Sequence, residues 1–126
     1  MILEELFAPL ARNFKPDLIA VSAGQDAHFE DPIASLRFSV ETYRMIAETV
    51  ATIAREVCGG RIALVLEGGY HLEATAEAVS AIISALAALQ NIPIRDPSRP
   101  PPQEVDEEVE RRIELLKSIL GDWWRF

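Results

Sequence analysis

Two short apolar runs, each ending abruptly in small residues and then a polar group, set the tightest limit on how this chain folds. Pro16-Asp17-Leu-Ile-Ala-Val-Ser22 leads into Ala23-Gly24-Gln25-Asp26-Ala-His28, and Arg61-Ile-Ala-Leu-Val-Leu66 leads into Glu67-Gly68-Gly69-Tyr70. The runs, about residues 17 to 22 and 61 to 66, show no polar alternation, which suits strands covered on both faces. Between them, Ser39 reads as the N-cap of a helix to about Cys58, with Val40, Tyr43, Ile46, Ala47, Val50, Ile53, Ala54 and Val57 on one stripe and Gly59-Gly60 ending it. Strand, helix, strand is a crossover unit whose strands are expected to be parallel and joined right-handedly. Ligands in open parallel sheets bind at the carboxyl ends of strands, so Asp26 and Tyr70 mark the edge where a site belongs.

The flanking segments read as helices. Ile2, Leu3, Leu6, Phe7, Leu10 and Phe14 have helical spacing, stopped by Pro16. Residues from about His71 to Gln90 are rich in alanine, with Leu72, Ala76, Val79, Ile83 and Leu86 expected on the buried face. Residues 23 to 38 are expected as a loop. Ile92-Pro93-Ile94 offers an edge strand, although Pro93 removes a donor. Residues 95 to 102, with four prolines, read as a stiff extended connection rather than a packed element. A last helix over 104 to 120 places Val105, Val109, Ile113, Leu116 and Leu120 on one stripe, and Trp123, Trp124 and Phe126 are expected to anchor the tail onto its own domain or a neighbour. Three regions result: 1–94 as a partial α/β domain, 95–102 as connection, and 103–126 as an amphipathic helical tail.

Two buried-type strands are too few to close a sheet, since they leave unpaired edges and apolar faces. The pattern reads as part of a larger sheet.

Composition narrows the partners. Twenty acidic against twelve basic residues give a formal charge of −8, which repels phosphate backbones and anionic lipid, so direct nucleic-acid and membrane partners are disfavoured. The single cysteine, Cys58, excludes an internal disulfide and fits a reducing, cytoplasmic setting. The opening Met-Ile-Leu-Glu-Glu-Leu carries acid where a signal peptide carries base, and no apolar run approaches the roughly 18 residues of a membrane span.

Asp26 is a turn former on the bland reading and a cleft-facing carboxylate on the sharper one. His28 adds the Asp-x-His pattern of two ligands to one metal, although two residues make only half a tetrahedral site and a loop histidine is more often simply solvated. Gly68 and Gly69 permit close backbone approach that aims the Tyr70 phenol at a bound substrate, or they merely make a tight turn with the phenol packed on the sheet. His71 reads as the start of the next helix and Cys58 as a core residue.

Pro16-Asp-Leu-Ile-Ala-Val-Ser-Ala-Gly-Gln-Asp26-Ala-His28-Phe-Glu-Asp31-Pro32, followed by Leu66-Glu-Gly-Gly-Tyr70-His-Leu-Glu, closely resembles the zinc-dependent histone deacetylase superfamily, which includes the acetylpolyamine amidohydrolases and acetoin-utilisation proteins. The resemblance runs from about Leu3 to Leu89. It implies an α/β fold, the carboxyl-terminal portion of a three-layer arginase/deacetylase-like parallel sheet with few strands and flanking helices. It also implies zinc as cofactor, Asp26 as one metal ligand, Tyr70 as the donor that polarises the substrate carbonyl, and Gly68 and Gly69 in the substrate pocket. His28 stands as a lesser candidate for a second ligand.

Two departures accompany the resemblance. Gln25 occupies a position where an aromatic or small residue is common, which would alter the pocket wall. The family's His-His base pair and its Asp-x-His segment with two further zinc ligands have no counterpart here. The expected function is thus the carboxyl-terminal part of a zinc amidohydrolase acting on an acetylated small molecule or acetyl-lysine, inactive without its amino-terminal half. The alternative is a non-catalytic, self-associating α/β binding module. A third reading gathers Asp26, His28, Tyr70 and His71 into a minimal site across an oligomer interface. The expected partner is another copy of the chain or a complementary deacetylase half.

Overall fold

A computed structural model describes residues 2–33, 35–89, 92–101 and 107–126. The chain opens with a π-helical turn, Leu3–Phe7, that runs into α1, Ala8–Phe14. Lys15 adopts a left-handed conformation and donates its amide to the Ala11 carbonyl, and Pro16 then prevents any further turn. Strand β1, Ile19–Ala23, pairs in parallel with β2, Ile62–Leu66, in the register Ile19 to Ile62 through Ala23 to Leu66. The expected crossover is therefore present, with each strand placed within two residues of the sequence reading.

The connecting helix α2, Val40–Cys58, begins with a capping box. Thr42 N–H donates to Ser39 Oγ, and Ser39 N–H donates back to Thr42 Oγ1. It ends where Gly59 turns left-handed and the Gly60 amide reaches the Ala54 carbonyl. The stripe read from the sequence is the buried one: Val40, Tyr43, Ala47, Val50, Ile53 and Ala54 all face the core.

Helix α3, Leu72–Leu86, is rotated relative to expectation. Its buried residues are Ala74, Ala78, Ala81, Ile82 and Ser84, whereas Leu72 is 83% exposed and Ile83 is 58% exposed. Ala78 and Ile82 share a cluster with Tyr43 and Ala47 of α2. Small side chains on both helices permit close approach, and this contact wins over burial of the larger residues on the other face. Gln90, expected near the end of this helix, lies outside the described residues.

The helices pack on one face of the sheet. Ile19, Val21, Ile62 and Leu64 meet α1, α2 and α3 in two adjoining apolar clusters. On the opposite face Ala20, Ala63 and Val65 are exposed, as is Leu66 at the strand end. The expectation of strands covered on both faces is thus met on one face only, because the described residues bring helices to one side. Ile92-Pro93-Ile94 forms no strand.

The last helix, α4, Glu107–Leu120, buries Ile113 and rests on the opening turn, where Lys117 Nζ donates to Glu5 Oε2 at 2.7 Å. Val105 of the expected stripe lies outside the described residues. Trp124 joins Leu3, Phe7, Leu10 and Phe14 along an apolar groove beside β1, and Asn13 Nδ2 holds the Arg125 carbonyl at 2.9 Å. Trp123, by contrast, is exposed. The connection before α4 is tied down rather than free: Asp96 reaches the start of α2, and Ser98 Oγ donates to Glu30 Oε1 at 2.6 Å. No helix of the described residues is long and apolar enough to cross a membrane.

Candidate functional site

Because β1 and β2 are parallel, the segments after Ala23 and Leu66 leave the same edge of the sheet. The ladder continues past both strands, with Glu67 N–H donating to Ala23 O at 3.2 Å and Gln25 N–H donating to Gly68 O at 2.8 Å. A 3-10 turn over Gln25–Ala27 then carries Asp26 back towards the second segment. Its carboxylate lies against the backbone of Gly68, where an added Cβ would fall 2.6 Å from Asp26 Cγ, and against Gly24, where it would fall 2.6 Å from Oδ1. Asp26 and the turn that carries Tyr70 are thus brought together at one edge.

Gly69 answers a different need. Its φ of +138° lies in a region that L side chains avoid, and an added Cβ would stand 2.5 Å from Thr75 Oγ1 and 3.0 Å from Gln25 Cβ. The two glycines give the turn its closeness to the Asp26 loop, one by leaving room for a carboxylate and the other by its backbone angle. Tyr70 follows, 56% exposed as a residue and so not packed into the core.

Three further residues build this edge, of which Asp31 and Tyr43 carried no site reading in the sequence. Asp31 is buried and takes Tyr70 N–H on Oδ2 at 2.7 Å. Tyr43 of α2 donates its hydroxyl to Gln25 O at 2.9 Å, bracing the residue before Asp26. Burial pushes the Tyr43 phenol well above its ordinary pKa, helped by the negative charges of Asp26 and Asp31. Gln25 itself is buried. Its amide, oriented to satisfy both groups, donates to Ala23 O at 2.7 Å and Gly68 O at 3.2 Å. It therefore ties the two strand ends together from within.

His28 departs from expectation as well. It is neither solvated nor open to a metal, being 1% exposed with both ring nitrogens engaged. Nδ1 accepts Glu30 N–H at 3.2 Å, which assigns the proton to Nε2, and Nε2 lies 3.0 Å from Asp96 Oδ1. His71 begins α3 as expected, its Nδ1 accepting Ala74 N–H at 3.2 Å. Within one chain, the ring nitrogens of His28 and Nδ1 of His71 are engaged in these local bonds. Among the described residues no three His, Cys, Asp or Glu side chains cluster closely enough to hold a metal ion.

Residues 1–86 match the histone deacetylase domain family. The chain belongs to that family. Among histone deacetylase relatives, it is 48% identical over 85 residues to histone deacetylase 14, chloroplastic, of Arabidopsis thaliana, an alignment covering 68% of this chain and 20% of the relative. It is 40% identical over 98 residues to a probable deacetylase of Archaeoglobus fulgidus, covering 77% of this chain and 27% of the relative. The chain therefore spans about a fifth to a quarter of these curated relatives. The fold agrees: the structure of the histone deacetylase Clr3 superposes with a TM-score of 0.77 at 24% identity, covering 98% of this chain and 19% of that one. The two parallel strands and their flanking helices are consistent with a piece of a histone deacetylase fold.

Proposed function

We propose that the chain is the carboxyl-terminal part of a histone-deacetylase-like zinc amidohydrolase that removes acetyl groups from acetylated amines, and that it is inactive without a complementary amino-terminal half. The observation that carries the reading is the contact of the Asp26 carboxylate with the Gly68 backbone, two residues before Tyr70. In this reading Asp26 contributes one metal ligand and the other ligands come from the partner. Zinc, once held by both, supplies Lewis acidity towards an acyl oxygen. The exposed Tyr70 phenol donates a hydrogen bond to that oxygen as negative charge develops on it. Gly68 and Gly69 keep the turn narrow enough for a small acylated amine, either a small molecule or an acetyl-lysine side chain, to approach both. The single Cys58, buried with its thiol directed to the Ala54 and Arg61 carbonyls, is in keeping with a reducing cytoplasmic setting.

Co-expression of the chain with a polypeptide bearing the remaining strands of a histone deacetylase domain tests the proposal. The expected product is a complex that retains one zinc in native mass spectrometry and hydrolyses a fluorogenic acetyl-lysine substrate, with loss on Tyr70→Phe and on Asp26→Asn. A stable complex without zinc or turnover rules it out. The chain alone is expected to show neither.

A second reading is favoured by a separate observation, the exposed apolar residues Val65 and Leu66 on the sheet and Leu115, Ile119 and Trp123 on and after α4. It makes the chain a self-associating, non-catalytic module. Persistence of a zinc-free homo-oligomer in the presence of the complementary half would select this reading.

A further inference from the structure

We infer that Asp31 is the positioning residue of the Tyr70 turn, its carboxylate fixing where the phenol leaves the sheet edge by holding the backbone of residues 70 and 71. The inference rests on the proposed role of Tyr70 and adds to it the device that sets its place.

The turn between β2 and α3 has five residues, 67 to 71. Its first two are held by the ladder through Ala23 and Gln25. The amides of Tyr70 and His71 come before the first turn of α3, where a helix leaves its leading N–H groups without carbonyl partners. Asp31 Oδ2 takes both, Tyr70 N–H at 2.7 Å and His71 N–H at 3.3 Å, while Oδ1 takes Ile33 N–H at 3.0 Å. Asp31 as a residue is 7% exposed, so these charge-assisted bonds are little diluted by water. Tyr70 gains little placement from packing, because the residue is 56% exposed. The backbone bond must do it.

Asp31 is also only five residues from Asp26, and the segment between them is internally fixed. Asp31 N–H donates to His28 O at 3.0 Å, His28 N–H donates to Gln25 O at 3.2 Å, and Phe29 N–H donates to Phe38 O at 2.9 Å. A single short segment therefore presses one carboxylate against Gly68 and hooks a second onto Tyr70. The spacing between the candidate metal ligand and the candidate hydrogen-bond donor is set by the geometry of residues 26–31. An asparagine at 31 has the same shape but only one accepting oxygen, so it must abandon either Ile33 or the Tyr70 and His71 amides.

Amide hydrogen exchange on the chain and on its Asp31→Asn variant reads this directly. In the unmodified chain Tyr70 N–H is expected to be protected although it belongs to no strand or helix. In the variant, exchange at Tyr70 and His71 is expected to speed up about tenfold or more while Val50 and Ala54 in α2 keep their rates. An unprotected Tyr70 amide in the unmodified chain, or unchanged rates in a folded variant, overturns the inference. If the variant fails to fold, the unmodified chain still decides. In the active complex proposed above, Asp31→Asn should lower kcat more than it changes KM, and adding it to Tyr70→Phe should cost no further activity. Additive losses would make Asp31 a merely structural residue. A complex with no activity at all would defeat the functional proposal, and exchange at Tyr70 would still settle the clamp.

Discussion

His28 Nε2 stands 3.0 Å from Asp96 Oδ1 across 68 residues of sequence, and the same oxygen accepts Val40 N–H at 2.7 Å. One carboxylate thereby joins three parts of the chain: the loop carrying Asp26, the first turn of α2 and the proline-rich connection. Negative charge at a helix start is favoured by the helix dipole, and the partner ring is almost fully buried. Asp96→Ala removes both bonds and leaves the His28 ring nitrogen without its acceptor.

That substitution is expected to destabilise the chain by about 1–3 kcal/mol, read as a lowered urea midpoint with unchanged slope. Asp96→Asn, which keeps one accepting oxygen, should cost less. An unchanged midpoint for Asp96→Ala would mean that the connection is undocked in solution.

Tyr43 gives a pH-dependent prediction. Burial, with the charges of Asp26 and Asp31, raises its folded-state pKa above the ordinary value of 10.0. A raised pKa means the folded state holds the proton more tightly than the unfolded one. The contribution is complete below about pH 10 and is lost as pH rises past that point, where the unfolded phenol ionises first. At neutral pH, Tyr43→Phe should cost about 1 kcal/mol through the lost bond to Gln25 O. Between pH 8 and 10.5 the stability gap between the two proteins should narrow in urea titrations. A gap that widens with pH would show that the phenol is not held in its neutral form.

The legible part of this fold was what local pattern dictates. Ser39 and Gly59 bound α2 as their capping chemistry requires, and Asp26 and Tyr70 share a sheet edge because parallel strands put both carboxyl ends there. The face of α3 was not legible. Its larger side chains suggested the stripe through Leu72 and Ile83, while contact with α2 selected the alanines, and that choice depends on the partner helix. The bonds of His28 and Asp31 are not legible for a related reason. Their partners, Asp96 and the Tyr70 amide, lie far along the sequence, and no local spacing signals a bond that only the folded chain creates.

The open sheet face predicts association. Val65 is 60% exposed and Leu66 is 58% exposed at the end of β2, which among the described residues pairs with β1 alone. Stable domains cover such edges and faces, so the chain alone is expected to form dimers or larger species at low micromolar concentration. Val65→Lys places a charge on that face without touching the helix-packed side. It should shift the species seen by light scattering towards monomer while circular dichroism stays unchanged. A folded monomer of the unmodified chain at that concentration would contradict the prediction.

Gly68 and Gly69 fail for different reasons when given a side chain, and the difference can be measured. At Gly68 the obstacle is Asp26, whose Cγ would lie 2.6 Å from the new Cβ, so Gly68→Ala must displace the carboxylate. At Gly69 the obstacles are its own φ of +138° and the Thr75 hydroxyl. Each alanine is expected to destabilise by about 1–3 kcal/mol. Asp26→Ala removes the atoms that meet the new methyl at 68 and none of those that meet it at 69. In that background the cost of Gly68→Ala should fall well below its value in the unmodified chain, whereas the cost of Gly69→Ala should persist. Contacting residues show such non-additivity, and independent ones do not. Equal, additive costs at both glycines would place the Asp26 carboxylate away from Gly68 and would remove the contact on which the proposed ligand role depends.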